Sequence, residues 1–98
     1  MSEDKELKRV HVVVKGRVQG VGFRAHVQYS ARQIGVVGWV RNVGYDTVEA
    51  SAEGERAKLD RFVEAVKRGP VGAQVDESQV EWQNATGEWS DFQMRRSL

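Results

Sequence analysis

The chain has no cysteine and a single proline, Pro70, among its 98 residues. The lack of cysteine excludes disulfides, thiolate metal ligands and a cysteine nucleophile. It also suits the cytoplasm, which is the location we expect. Two histidines, His11 and His26, and the scattered carboxylates show no metal-ligand spacing, so we expect no metal site.

A long apolar run and an excess of one charge are also missing. No segment approaches the roughly 18 consecutive apolar residues of a membrane-spanning helix, and the charged residues 1–9 lack the apolar segment of a signal peptide. The 15 basic and 14 acidic residues are interleaved, and the formal net charge is +1. Binding to nucleic acid or a membrane through bulk charge is therefore not expected. Nothing in the sequence sets the oligomeric state, for which we expect a monomer.

The length is enough for one domain with one hydrophobic core. We expect a flexible polar lead over residues 1–8 and a folded domain over residues 9–98. Apolar spacing predicts two helices, Phe23–Ile34 and Glu55–Arg68. Runs of β-branched and alternating residues predict five strands: Val10–Val14, Val36–Val43, Thr47–Glu53, Val80–Gln83 (with a start as early as Val75) and Phe92–Arg95. In the third strand we expect Val48, Ala50 and Ala52 to face the core and Glu49, Ser51 and Glu53 to face outward.

Strand, helix, strand, strand, helix and strand follow one another, with a short extra strand at the end. Two right-handed βαβ units that share a hairpin give a ferredoxin-like βαββαβ sandwich. The predicted class is therefore α+β, with a mainly antiparallel sheet and both helices on one face. The sequence does not say which edge of the sheet carries the short fifth strand.

The stretch from Lys15 to Arg24, KGRVQGVGFR, joins the first strand to the first helix. Its three glycines allow a tight turn with positive φ and leave main-chain N–H groups accessible. The first N–H groups of the helix have no intrahelical partner, so they join this set. Such a curl at a helix N-terminus is suited to binding an anion. The spacing fits neither G-x-G-x-x-G nor a Walker A loop, so a nucleotide site is not indicated.

Arg24 is the residue on which this hypothesis depends. It falls in the first helical turn, where the helix dipole disfavours a cation by about 0.3–1 kcal/mol. An anion between the guanidinium and the backbone would explain the arginine, because its planar fork suits phosphate. The alternative is a solvated arginine that follows an ordinary glycine loop.

Asn42 lies near the end of the second predicted strand, beside the turn at residues 44–46. Its carboxamide donates and accepts hydrogen bonds at once, which suits it to hold a water against an electrophile. The alternative is that Asn42 shapes the hairpin turn. Of the histidines, His26 lies about 200° round the helix from Arg24, and His11 is in mid-strand, so we expect neither to act directly.

Two stretches together resemble the signature motifs of the acylphosphatase family: Gly16–Arg24, GRVQGVGFR, and Gly35–Asn42, GVVGWVRN. The resemblance runs from about residue 9 to residue 96, and two long motifs in the right order are far more specific than either alone. Residues 1–8 and 82–89 are less similar to the family, which leaves the substrate preference open. The family has the fold predicted above.

The resemblance implies hydrolysis of small-molecule acyl phosphates to a carboxylate and inorganic phosphate, without a metal or cofactor. In the family, the arginine matched by Arg24 binds the phosphoryl group and the asparagine matched by Asn42 positions the attacking water. Backbone N–H groups complete the phosphate cradle, and they match Gln19, Gly20, Val21, Gly22 and Phe23.

A binding module is the alternative from another class, either a domain that recognises phosphate or carbamoyl phosphate without turnover or a ferredoxin-like RNA binder. Sheet-type RNA modules stack bases on aromatic side chains of central strands, and the first and third predicted strands contain none. A role within a larger hydrogenase-maturation protein would need further domains and cysteine zinc motifs, and the sequence contains no cysteine.

Overall fold

Two helices and five strands are present in the computed structural model, which describes residues 6–98. Helix α1 spans Phe23–Ile34 and helix α2 spans Arg56–Arg68. The strands are β1, Leu7–Arg17; β2, Val37–Val43; β3, Thr47–Glu55; β4, Gln74–Asn84; and β5, Phe92–Met94. No helix in this part of the chain has the length and apolar character needed to cross a bilayer.

The strands form one sheet in the order β4-β1-β3-β2-β5. Strand β1 is antiparallel to β3 and β4, and β2 is antiparallel to β3. Only β5 runs parallel to its neighbour, β2, and it forms the edge of the sheet there. This topology confirms the predicted ferredoxin-like α+β sandwich and answers the question of the fifth strand.

The core lies on the face of the sheet that both helices cover. Alternate strand residues face it, because side chains in a strand alternate between the two faces. Pairing aligns them in rows across β1, β3 and β2: Val10–Ala52–Gly38, Val12–Ala50–Val40 and Val14–Val48–Asn42. The helices add buried side chains from one stripe each: Phe23, Val27 and Ala31 from α1, and Leu59, Phe62, Val63 and Val66 from α2.

Strands β1 and β4 are both longer than predicted. They pair with each other from Lys8–Asn84 to Arg17–Gln74, and this pairing holds polar residues in strand conformation that the apolar pattern did not include. Leu7 and Lys8, expected in a flexible lead, pair with β3 instead. Residues 1–5 of that expected lead lie outside the described residues, so their flexibility stays a prediction.

A connection of residues 85–91 runs from β4 at one edge to β5 at the other, over the face of the sheet that the helices leave uncovered. We call it the crossing segment. The backbone N–H groups of Thr86 and Gly87 donate to the Glu53 carboxylate over 2.8 and 3.0 Å. Arg9 Nε donates to the same carboxylate over 2.8 Å. Glu53 and Ser51 lie on the predicted face, but they are buried there and not exposed as the alternation suggested.

Candidate active site

The glycine loop after β1 has the open backbone that its sequence predicts. Gly20 and Gly22 have φ of 76° and 77°, in the left-handed region that favours glycine. A Cβ at either position would meet no atom within 4 Å, so this side of the loop is free for a ligand. Gly22 caps α1 with no side-chain hydrogen bond to the first turn. The first N–H groups of α1 therefore border open space.

The loop, the first turn of α1 and the end of β2 enclose a cleft of about 210 Å³. Among the described residues, the lining contains a single charged side chain, that of Arg24, and no carboxylate. Six of the seven predicted site residues line it, and the seventh, Val21, packs against the core. The full lining is Val18, Gln19, Gly20, Gly22, Phe23, Arg24, Ala25, Asn42 and Met94.

Asn42 faces the helices because of the register of the sheet. It pairs with Val48, which pairs with Val14, and both valines are fully buried in the core. Asn42 therefore ends a core row at the place where β1 enters the glycine loop. The side chain is half-buried and lines the cleft together with Arg24, from which it is separated by 18 positions in sequence.

Arg24 is held by a backbone carbonyl and not by a carboxylate. Its Nη1 donates to the carbonyl oxygen of Arg95 over 3.1 Å. No ion pair forms between Arg24 and any carboxylate of residues 6–98. A guanidinium has five N–H donors, so the rest of its donors and its full charge stay available to an anion in the cleft.

Residues 95–98 continue from β5 along the edge of β2. Arg95 N donates to Val40 O and Leu98 N donates to Asn42 O, both over 2.8 Å. Gly44 N in turn donates to Leu98 O over 3.1 Å. The backbone of Asn42 and the carbonyl that holds Arg24 are therefore tied to one segment.

The side chain of Gln19 fastens the glycine loop to the β2–β3 hairpin. Its Nε2 lies 3.3, 3.2 and 2.9 Å from the carbonyl oxygens of Val43, Gly44 and Thr47. Only the backbone of Gln19 was expected in the site. Because the three acceptors are backbone atoms of a distant hairpin, no local signal in the sequence points to this contact.

Two polar residues of α1 with no predicted role, Gln28 and Arg32, bond to β5. Gln28 Nε2 donates to Phe92 O over 3.2 Å, and Arg32 Nη2 donates to the same oxygen over 3.0 Å. Arg32 also pairs with Asp91 over 3.2 Å. The sequence does contain a signal for these contacts, because residues 24, 28 and 32 repeat at the four-residue spacing of one helix face.

Neither histidine lines the cleft. His26 stands edge-on to Phe23, with ring centroids 6.4 Å apart, and its buried Nε2 has no hydrogen-bond partner among the described residues. His11 lies on the other face of the sheet, where its Nε2 is 2.7 Å from Glu49. Residues 6–98 hold no group of three or more side chains arranged to bind a metal ion.

Comparison with known proteins identifies a family that matches most of the chain. The family model Acylphosphatase matches residues 10–94. An acylphosphatase of Anaeromyxobacter sp. (strain Fw109-5) is 50% identical over 90 residues, which are 92% of this chain and 97% of the relative. The crystal structure of acylphosphatase from Bacillus subtilis has a TM-score of 0.85 and 38% identity, with 90% of this chain and 98% of that chain covered. Full-length HypF in the phosphate- and nucleotide-bound form has a TM-score of 0.84 and 26% identity, with 99% of this chain and 13% of that chain covered.

Proposed function

The chain belongs to the acylphosphatase family, and we propose that Arg24, Asn42 and the amides of the glycine loop are the groups that carry out its reaction. The family resemblance predicted from the two motifs is confirmed, and with it the identity of the chain as an acylphosphatase that hydrolyses acyl phosphates. The roles of individual residues are the part that we propose.

The phosphoryl group binds between the Arg24 guanidinium and the N–H groups of residues 19–23. Phosphoryl transfer through a loose transition state asks the protein to position the reactants and to stabilise charge on the equatorial oxygens. Arg24 pairs with no carboxylate of residues 6–98, and its guanidinium and the loop N–H groups supply that stabilisation without reorganising during the reaction. Gly20 and Gly22 keep side chains out of the path of the anion.

Asn42 holds the attacking water in line with the bond that breaks. Its carboxamide does not titrate at neutral pH, so it orients the water and does not take its proton. A phosphate oxygen of the substrate accepts that proton. The leaving carboxylate needs no strong general acid, which agrees with a cleft whose lining contains no titratable group besides Arg24.

One observation carries the proposal. Arg24 of α1 and Asn42 of β2 line the same cleft as Gly20 and Gly22 of the glycine loop. The alternatives are that Arg24 is a solvated arginine on the flank of the helix and that Asn42 shapes the hairpin turn. They do not explain why the two side chains line one cleft. A phosphate-binding module without turnover would use the same cradle, so the assay has to separate binding from hydrolysis.

The decisive assay is hydrolysis of benzoyl phosphate in the presence of a metal chelator. We expect the wild type to be active, and we expect Arg24→Ala to lose about 10³-fold or more in kcat/KM, on the scale of arginines in other phosphoryl-transfer sites. Arg61→Ala, which removes an exposed arginine from α2, is the control and should be unchanged. A wild type that binds phosphate but does not hydrolyse the substrate would favour the binding module.

Asn42→Ala tests the second role. We expect kcat to fall about 10²–10³-fold because the water loses its orientation, while inorganic phosphate still inhibits competitively with an unchanged constant. Asn84→Ala, at an exposed asparagine of β4, is the matched control. Loss of phosphate binding in Asn42→Ala, with normal turnover of whatever substrate does bind, would contradict the assignment.

The remaining expectations stay predictions for this chain. They are a monomer, a cytoplasmic location, no cofactor and no nucleic-acid or membrane partner. Size-exclusion chromatography with light scattering tests the first of these directly.

A further inference from the structure

Three side chains of α1 reach β5 and its extension from one face of the helix. Arg24, Gln28 and Arg32 are spaced four residues apart, so they lie one above another along the helix. Each donates to a main-chain oxygen: Arg24 to Arg95 O, and both Gln28 and Arg32 to Phe92 O. We call these residues the α1 ladder. Its first member is the residue to which we assign phosphate binding.

Strand β5 needs this support because it is short and lies at an edge. It has three residues and pairs with only one strand, β2. Edge strands leave a row of backbone groups without ladder partners. The Phe92 side chain anchors the strand in the core, with its ring centroid 5.6 Å from that of Phe62. Gln28 and Arg32 of the α1 ladder hold the backbone of the strand by donating hydrogen bonds to the Phe92 carbonyl.

The position of the strand matters for Arg24. Arg95 follows Phe92 by three residues, and its carbonyl accepts the hydrogen bond from Arg24 Nη1 over 3.1 Å. A shift of β5 therefore moves the acceptor that orients the guanidinium. The same strand also places Met94 in the lining of the cleft.

We propose that Gln28 and Arg32 are positioning residues for catalysis: by holding the Phe92 carbonyl, they keep the Arg95 carbonyl where it orients the Arg24 guanidinium toward the phosphoryl group. Neither residue lines the cleft or touches the substrate site. The proposal rests on the phosphate-binding role proposed for Arg24.

A purely stabilising role fits the contacts less well. Arg32 and Asp91 are about half exposed, at 50% and 57% of their side-chain surface. Surface ion pairs of this kind contribute little to folding. The shared acceptor is more informative, because two side chains converge on one carbonyl of a three-residue strand beside the site.

The chain contains a matched control for Arg32. Arg56 pairs with Asp60 over 3.2 Å, with side-chain exposures of 51% and 58%, which are nearly those of the Arg32–Asp91 pair. That pair lies at the start of α2 and makes no hydrogen bond to β5. Arg56→Ala therefore removes a comparable surface ion pair without touching the ladder.

The experiment compares wild type, Arg56→Ala and the double variant Gln28→Ala/Arg32→Ala. For each, the dissociation constant of inorganic phosphate is measured by titration, and kcat and KM are measured with benzoyl phosphate. We expect the double variant to bind phosphate about three- to tenfold more weakly, on the scale of one or two lost hydrogen bonds, with KM rising by a similar factor and kcat falling less. Arg56→Ala should match the wild type in all three quantities.

Two further measurements separate positioning from stability. In the double variant, ¹⁵N relaxation of the Arg24 Nε–H group should show a more mobile guanidinium, while thermal unfolding confirms that the variant is folded. Arg32→Lys, which keeps one donor for the Phe92 carbonyl, should recover part of the phosphate affinity. Unchanged phosphate affinity and unchanged Arg24 mobility in a folded double variant would overturn the proposal.

Failure of the proposed function has a different result. Unchanged phosphate affinity and unchanged turnover in Arg24→Ala would refute the role proposed for Arg24, on which the ladder rests. A wild type that hydrolyses the substrate, with a double variant of equal phosphate affinity, would refute the ladder alone.

Discussion

Arg9 and Arg24 lie on opposite faces of the same sheet in opposite chemical surroundings. Arg9 bonds to Glu53 through Nε over 2.8 Å, and its Nη2 is 2.7 Å from Thr86 Oγ1 and 3.2 Å from Glu88. Its guanidinium also stacks 4.1 Å from the Trp89 ring centroid. Among residues 6–98, Arg24 makes one side-chain hydrogen bond, to a backbone carbonyl. Carboxylates of these residues balance the charge of Arg9 but not that of Arg24.

The difference separates an arginine with structural contacts from the arginine to which we assign phosphate binding. A buried charge must be paired to offset its desolvation, and the contacts of Arg9 pin the crossing segment to the sheet. A half-buried guanidinium that is oriented but not neutralised is prepared to accept an anion. Residue type alone does not make this distinction, because both side chains are arginines next to a strand or helix end.

Exchanging each arginine for lysine should give the largest difference between the two sites. Lysine keeps the charge but loses the planar fork, so we expect Arg24→Lys to lower kcat/KM for benzoyl phosphate by about 10²-fold. Arg9→Lys should keep kcat/KM within about twofold and lower the free energy of unfolding instead. Equal losses of activity in the two variants would show that the two faces of the sheet are not functionally distinct.

Glu53→Gln tests whether the contacts around Arg9 stabilise the fold. The carboxylate is buried and accepts from Arg9, Thr86 and Gly87, and a neutral amide there leaves Arg9 without its closest counter-charge. We expect the free energy of unfolding to fall by about 1–3 kcal/mol, measured by chemical denaturation at pH 7. Glu64→Gln, at an exposed position of α2, should stay within about 0.5 kcal/mol of the wild type.

The smallest effect is a pH dependence of stability. Burial raises the pKa of Glu53, but hydrogen bonds from Thr86, Gly87 and Arg9 outweigh it, so the pKa lies below its usual value of 4.5. A carboxylate with a lowered folded-state pKa stabilises the fold above pH 4.5, and this contribution is lost as the pH falls through the folded-state value.

Denaturation curves at pH 7, 5, 4 and 3 test this dependence. The wild type should lose stability below about pH 4.5, and Glu53→Gln should lose less over the same range. Part of the loss should remain in the variant, because Glu49 also has a lowered pKa: burial raises it, but hydrogen bonds with His11 and Arg41 outweigh the burial. Parallel curves for the two proteins would contradict the role of Glu53.

Helix α1 and the β2–β3 hairpin follow from local sequence patterns. Helix α1 begins at Phe23 and ends at Ile34 as predicted, because a glycine flanks each end and one apolar stripe runs between them. The predicted hairpin of β2 and β3 is also confirmed, and so is the alternation that turns Val48, Ala50 and Ala52 into the core. These features depend on residues close in sequence.

The features that the sequence did not predict depend on contacts between residues far apart in the chain. The position of β5, the burial of Glu53 under the crossing segment and the bonds of the α1 ladder join residues 33 to 71 positions apart. Gln28 and Arg32 lie on a polar helix face, which is usually solvated. Arg32 is exposed and Gln28 is half-buried, but both side chains also bond to β5. The convergence of Arg24 and Asn42 was accessible only through the two motifs, since the spacing of residues fixes no register.

The hydrogen bond between Arg24 and the Arg95 carbonyl spans 71 positions of the chain. During synthesis, both signature motifs leave the ribosome long before the residues that orient the guanidinium have been added. A nascent chain that stops short of β5 therefore carries the complete signature but lacks the support for its arginine. The surroundings of Arg24 are therefore completed only when β5 and residue 95 have been added, well after the glycine loop has been made.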